Sequence, residues 1–283
     1  MFWLQLRNEL YKMFARKRTY IGFGAFIFAQ SLILLLLHLP KAKKGILREI
    51  NVAKVFLVDA ESYFGGLTLA VLVIVISFTL LAGLYIALVS GDIVAKEHED
   101  GTLRMILCRP VSRLRLLVLK WAAGLIYTAV LVGFMALFAL TIATLYRGEL
   151  GRLFIMVPHE NIRVGYDTME GLGRYVIAAG CLMFSALVIS SVAFMFSCFR
   201  MKPAAATILT LSVFFVDLVL RQMPYLESYR HYFITHHTAS WARTFAKEPD
   251  WIDIGGSWLY LLAIHAVCFV IGAAAFIRRD IKS

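Results

Sequence analysis

Six apolar runs, each close to the length that crosses a bilayer, divide this chain, and they constrain its fold more than any other feature. A hydrocarbon core about 30 Å thick takes about 20 residues of helix. It offers the backbone no hydrogen-bond partner, so only helices or closed barrels cross it. Window hydropathy places the spans at about 20–39, 67–90, 119–145, 174–198, 204–220 and 257–277. The fold class expected is therefore an all-α membrane protein with six transmembrane helices. No internal repeat or linker divides it, so residues 1–283 read as one transmembrane domain.

Composition agrees with the runs. Hydrophobic residues make up 60% of the chain and charged ones 17%, where a soluble domain carries about 25% charged residues. The net charge of +11 would suggest nucleic acid in a soluble protein. Membrane proteins instead collect Lys and Arg at helix ends, and no zinc-finger or RNA-binding spacing competes, so no nucleic-acid partner is expected. The cysteines, Cys108, Cys181, Cys198 and Cys268, form no CxxC pair, and three of them lie in apolar runs. They read as small buried hydrophobes rather than as disulfides or metal ligands. The basic cluster Arg16, Lys17, Arg18 comes too late for a cleavable signal, and the run Tyr20 to Leu39 is long enough to stay as the first span.

An even number of spans puts both termini on one side. The N-terminal basic group, the loop 91–118, the link Arg200-Met201-Lys202 and the tail residues Arg278, Arg279 and Lys282 share that side and are dense in Lys and Arg. By the positive-inside rule this side is cytoplasmic. The first outer loop, with Lys41, Lys43, Lys44, Arg48 and Lys54, runs against the rule.

Residues 1–19 form a separate amphipathic element. Trp3, Leu6, Leu10, Met13 and Phe14 recur at helical spacing, with Arg7, Asn8, Lys12, Arg16 and Lys17 mainly off that stripe. This pattern predicts a helix lying in the bilayer interface. The third outer loop is rich in aromatics (Tyr225, Tyr229, Tyr232, Phe233, Trp241) and follows a span barely long enough to cross. A short helix followed by a partly buried hairpin accounts for both features.

The most informative stretch runs from Gly91 to Arg113. A polar helix carrying Glu97 leaves the second span and breaks at Gly101. Thr102 can cap a short turn bearing Leu103, Ile106 and Leu107. Pro110 stops that turn, and Ser112 can cap the helix leading into the third span. The product is a short amphipathic helix held between two breaks, suited to docking against another protein.

Glu97, Gly101-Thr102-Leu103, Leu107, Pro110-Val111-Ser112-Arg113 and Lys120 resemble the first cytoplasmic loop of ABC-2 type transporter permeases. The resemblance extends to the six spans and the N-terminal interfacial helix. It implies the ABC-2 (type V exporter-like) permease fold, in a bacterial inner (plasma) membrane with both termini cytoplasmic. It also implies that this loop holds a coupling helix seated in a separate ATPase subunit, with Glu97, Gly101, Thr102, Leu103, Leu107, Pro110 and Arg113 as the coupling positions. Two permease copies, expected as a homodimer, would pair with two ATPases and export an amphipathic, lipid-like, drug or peptide substrate. The chain holds no GxxxxGK[ST] phosphate loop. ATP and Mg are thus expected in the partner subunit, and this chain is expected to bind no cofactor and to be no enzyme.

Within the spans, Asp217 lies four residues before Arg221, where the two can pair on one helix face. Its alternative reading is functional, because intramembrane charge is costly. His265 reads as a helix–helix hydrogen bond. His231, His236 and His237 lack the spacing of a metal site, so no metal is expected. Ser77, Thr79, Ser185, Ser190, Ser191 and Thr210 either line a path or pack helices, and Gly22, Gly24, Gly83 and Gly272 read as packing positions. Two other classes compete. A motor-free secondary transporter or channel would show ionisable residues deep in several spans and repeat symmetry. A membrane scaffold would recruit a cytoplasmic partner through the same loop.

Overall fold

The computed structural model describes residues 2–39, 65–107, 112–157 and 162–278. Cys108, Pro110, Val111, the basic residues of the first outer loop, Arg279 and Lys282 fall outside this set. Among the described residues six helices are long and apolar enough to cross a membrane.

A short helix, α1 (Phe2–Ala15), precedes the first span, α2 (Lys17–His38). The Thr19 hydroxyl donates to the Met13 carbonyl and pins the corner between them. The apolar stripe on α1 divides: Leu6 and Met13 are buried against the bundle, while Trp3, expected on the same stripe, stays exposed with Leu4 and Tyr11. The inward part packs on protein and the outward part keeps the aromatic edge an interfacial helix needs.

The second span, α3 (Gly66–Glu99), and the third, α5 (Arg113–Arg147), run 34 and 35 residues. At 1.5 Å per residue each is about 50 Å long, well beyond a hydrocarbon core of about 30 Å. Both outlast the expected spans, chiefly at the end that carries α1, and between them sits the short α4 (Thr102–Leu107). α3 contains a π-helical turn at Phe78–Ala82. Ser112 caps α5, its hydroxyl accepting from the Arg115 amide, and Gly148 ends it with φ +77°.

The fourth span, α6 (Thr168–Ser197), is central, packed against α3, α5 and the last two spans, α7 (Pro203–Arg221) and α10 (Trp251–Ile277). Its buried face is rich in small residues, among them Ala178, Cys181, Ser185, Ala186, Ser190 and Ala193. Lipid tails are as apolar as leucine, so close approach and hydrogen bonding hold membrane helices together. Ser90 and Ser190 share a hydrogen bond of 2.8 Å. Gln30 donates to Ser77 and to the Met135 carbonyl. Ser191 bonds His265 at 2.7 Å and accepts from the Trp121 indole. The Ser185 hydroxyl donates within α6 and to Thr238, and Thr210 donates to the Ala206 carbonyl. Most of the small polar positions thus pack helices, whereas Thr79 is exposed. Gly22 admits the Tyr85 ring, and Gly272 lies against the Met195 backbone. Gly24 and Gly83 are not close-packed.

At the opposite end the loop between the third and fourth spans, for which the sequence suggests no regular element, carries an antiparallel hairpin, β1 (Leu153–Val157) and β2 (Ile162–Tyr166). It caps the bundle with Leu153, Phe154, Ile155, Ile162 and Tyr166 buried. The Leu67 amide donates to Leu150, and the Tyr166 hydroxyl bonds the Phe245 and Ala246 carbonyls.

After α7 the chain folds back through a 3-10 helix (Pro224–Tyr232), α8 (Ile234–Thr238) and α9 (Ser240–Arg243). Among the described residues no group of three His, Cys, Asp or Glu can hold a metal. His237 bonds Ser257 and the His231 carbonyl and stacks on Tyr260. Burial, reinforced by the Arg243 charge, lowers the His236 pKa to about 4, and burial also lowers that of His237. A histidine depressed in the folded state takes up a proton on opening, so stability falls as pH drops from about 6.5 towards the folded value. Acidification from pH 7 to pH 5 should therefore lower the amide protection factors, which correct for the slower intrinsic exchange in acid, across residues 234–243 more than in α6. Equal protection at both pH values would refute this.

Candidate functional site

The extended ends of α3 and α5 run side by side beyond the expected spans, and α1 lies across them. This geometry puts a lysine where water scarcely reaches. Lys120, on α5, is 1% exposed. Its Nζ lies 2.6 Å from Glu97 Oε1 on α3 and 3.1 Å from Glu9 Oε2 on α1. Glu9 Oε1 also holds Lys12 at 2.7 Å. Burial alone would raise the Glu9 pKa, but Lys120 and Lys12 together outweigh it and hold the carboxyl below its ordinary value. A second bridge, Arg18 Nη1 to Asp92 Oδ2 at 3.0 Å, ties the start of α2 to α3 nearby.

From this hub the chain leads directly to α4. The Glu97 carbonyl accepts from the Thr102 hydroxyl at 3.2 Å. Gly101 makes the turn with φ +70°, a conformation that glycine adopts without the steric cost a Cβ brings. Leu103 is 1% exposed and joins an apolar cluster with Leu6, Met13, Leu117 and Phe276. Met105 is 66% exposed. Arg113 Nη1 donates to the Ile277 carbonyl at 3.1 Å, fastening the start of α5 to the end of α10. One side of α4 is thus rooted in the bundle, while Met105 is presented outward.

These positions correct parts of the sequence reading. Glu97, on the polar helix that leaves the second span, is buried in an ion cluster. Thr102 begins α4, but its hydroxyl bonds back to Glu97 and closes the turn instead of capping the helix. Gly101 breaks the chain and Ser112 caps α5 as expected. Glu97, Gly101, Thr102, Leu103 and Arg113 come together around one end of the bundle. Leu107 closes α4, and Pro110 lies outside the described residues.

Lys120 belongs to the sequence resemblance but not to the expected coupling positions. A signal was present: it shares a helical face with Leu116, Leu117, Ala123 and Tyr127, all buried, and a lysine on such a face needs a carboxylate. Asp217 and His265 lie elsewhere. Asp217 accepts the Ile234 and Thr235 amides at 3.1 and 2.7 Å, and Arg221 donates to the Thr235 carbonyl. Both therefore anchor the fold-back segment, a role that the expected pairing along one helix face did not include. His265 joins α10 to α6 through Ser191, as expected.

Residues 7–281 match the family described as ABC-2 family transporter protein. A stretch of 122 residues is 25% identical to the Uncharacterized protein YhcI of Bacillus subtilis (strain 168), and this match covers 43% of the present chain and 39% of that protein. The chain thus spans well under half of that relative's length.

Removing one partner of a buried ion cluster strands the others, at about 3–5 kcal/mol. Lys120→Met, which leaves Glu97 and Glu9 without their shared cation, should lower the thermal unfolding midpoint of the detergent-purified protein. Lys120→Met combined with Glu97→Gln should recover part of the loss. An unchanged midpoint for the single variant would show that the hub does not bear on stability.

Proposed function

The chain belongs to the ABC-2 family of transporter proteins, and from that membership we propose that it is the permease subunit of an ATP-driven exporter, working with a separate ATPase. It is a multi-pass membrane protein and a transport subunit. The observation that carries the coupling reading is α4 itself: a short helix held past the expected spans by two long ones, rooted through Leu103 and open at Met105. In this reading the α4 end is cytoplasmic, in line with its Lys and Arg, and the membrane is a bacterial inner membrane with both termini on the cytoplasmic side.

Glu97, Gly101, Thr102, Leu103, Leu107, Pro110 and Arg113 then form the coupling region. ATP and Mg bind in the partner, and its closure displaces α4. The Glu97–Lys120 pair passes that displacement from α3 to α5, and Glu9 passes it to α1. A second permease copy, in a homodimer, completes the path for an amphipathic substrate. Membership of the ABC-2 family favours this over a motor-free transporter.

The test is co-expression with the ATPase encoded beside this chain, followed by purification and an assay of substrate-stimulated hydrolysis. The wild-type pair should co-purify and hydrolyse ATP. Gly101→Pro, which cannot adopt the positive φ of the turn, should reduce the stimulated rate at least tenfold while the permease still folds. Glu97→Ala should do the same to a smaller extent. Failure of any ATPase to co-purify, or full activity in both variants, would refute the coupling reading.

A further inference from the structure

A cavity of about 380 Å³ opens at the α4 end of the bundle, between the start of α2, the last turns of α3 and the start of α7. Leu88, Asp92, Lys96 and Glu99 form its α3 wall and recur at three and four residues, so one helix face supplies them. The α7 wall carries Lys202, Thr207 and Ile208. These walls run antiparallel, and a close contact sets their register. Gly91 packs against Thr207, where a Cβ on the glycine would fall 3.1 Å from the hydroxyl oxygen. Lys96 follows Gly91 by five residues, and Lys202 precedes Thr207 by five. Both lysines therefore lie on the same side of that contact, about 7.5 Å from it at 1.5 Å per residue. Leu88 and Ile208 lie on the other side.

This order matches the edge of a bilayer. Leu88 and Ile208 fall inside the apolar runs at 67–90 and 204–220, and Lys96 and Lys202 lie just beyond them. Ile208 is 62% exposed, so the apolar end of the cavity opens sideways onto hydrocarbon. Charge completes the picture. Arg18, Lys96 and Lys202 share the cavity with Asp92 and Glu99, which leaves one positive charge in excess. Asp92 is taken by Arg18, and Glu99 is exposed to water. Among the described residues neither Lys96 nor Lys202 forms an ion pair at contact distance.

We propose that this cavity holds the head group of an anionic phospholipid from the surrounding bilayer. Its phosphate sits between Lys96 and Lys202, and its acyl chains leave past Ile208 along α7. An ammonium acts as a point charge on a flexible apolar stem, so lysines on two helices can meet one phosphate from either side. The single excess charge matches a head group with one negative charge, and basic pockets between spans at a membrane surface suit such lipids. The lipid is a fixed part of the assembly and not cargo. Bound there it bridges α3 to α7, the span that the protein itself covers least. Only the leaflet, cytoplasmic, rests on the exporter reading; binding needs no ATPase.

The test takes the full chain, delipidated in detergent and without an ATPase, and counts retained lipids by native mass spectrometry. Phosphatidylglycerol should be retained at one per chain at concentrations where phosphatidylcholine of the same acyl chains is not. Lys96→Gln combined with Lys202→Gln should weaken that retention about thirtyfold, the scale set by two basic side chains at a membrane surface. Ala204→Glu tests the site a second way: it puts a carboxylate into the cavity at the first turn of α7, which tolerates an acid, and it should also weaken retention. Arg7→Gln combined with Lys17→Gln removes two exposed cations outside the cavity and should change little. Equal retention of the two lipids, unchanged retention in the Lys96/Lys202 variant, or the same loss in the Arg7/Lys17 variant would overturn the proposal. Displacement of the lipid by equimolar glycerol phosphate would also overturn it, since the site would then belong to a free anion. Failure of an ATPase to co-purify, which refutes the exporter reading, leaves all of these outcomes unaffected.

Discussion

Lys120 is the group on which the arrangement of this molecule's α4 end depends. An ammonium taken from water into a protein interior loses several kcal/mol of solvation even after relaxation. At 1% exposure it recovers that only from close carboxylates, and Glu97 and Glu9 supply them at 2.6 and 3.1 Å. Each comes from a different element, so the charge requirement fixes α1, α3 and α5 against one another. Packing by apolar residues alone tolerates sliding, because one leucine resembles another. A lysine with two carboxylates does not, since a shift of one turn leaves a buried charge unpaired.

The rest of the bundle is held by weaker, more distributed terms. Hydrogen bonds between membrane helices average about 0.6 kcal/mol and reach about 1.7, so Ser90–Ser190 and Ser191–His265 each contribute little singly. Their value lies in register, because each joins α6 to a different neighbour. Coverage follows the same hierarchy. Over the span window, 61% of α6 is buried but only 11% of α7. The helix least constrained by packing is therefore the one that borders a cleft shared with Phe78 of α3 and that supplies Asp217 and Arg221 to the fold-back segment.

What the sequence made legible follows the range of the interactions. The spans came from hydropathy, which is local, and the break at Gly101 and the cap at Ser112 came from residues whose roles are set by their own backbone. The ABC-2 motif likewise lay in contiguous residues. The burial of Glu97 was not legible, because the cluster that encloses it draws on Lys120 and Glu9, 23 and 88 positions away along the chain. Nor was the hairpin at 153–166: its strands are five residues each, and they are stabilised by Thr68, Phe245 and Ala246 from distant segments. The π turn at Phe78–Ala82 contains no glycine or proline to announce it.

These levels meet in α3. One continuous helix carries Glu97 at the hub and Phe78 at the cleft, 19 residues apart or about 28 Å along the axis. A straight α-helix transmits an axial push with little compliance, because each turn is braced by the next. The π turn interrupts that brace, and it lies where α3 borders the cleft. Axial displacement of α3, in the coupling reading, would therefore be resisted along the largely buried stretch from Ser90 to Glu97 and absorbed at Phe78–Ala82. The wall that changes shape is then the one facing α7, the least covered helix of the bundle. In that reading a push on α4 would be converted into a change of shape beside α7 by the difference in stiffness between two parts of one helix.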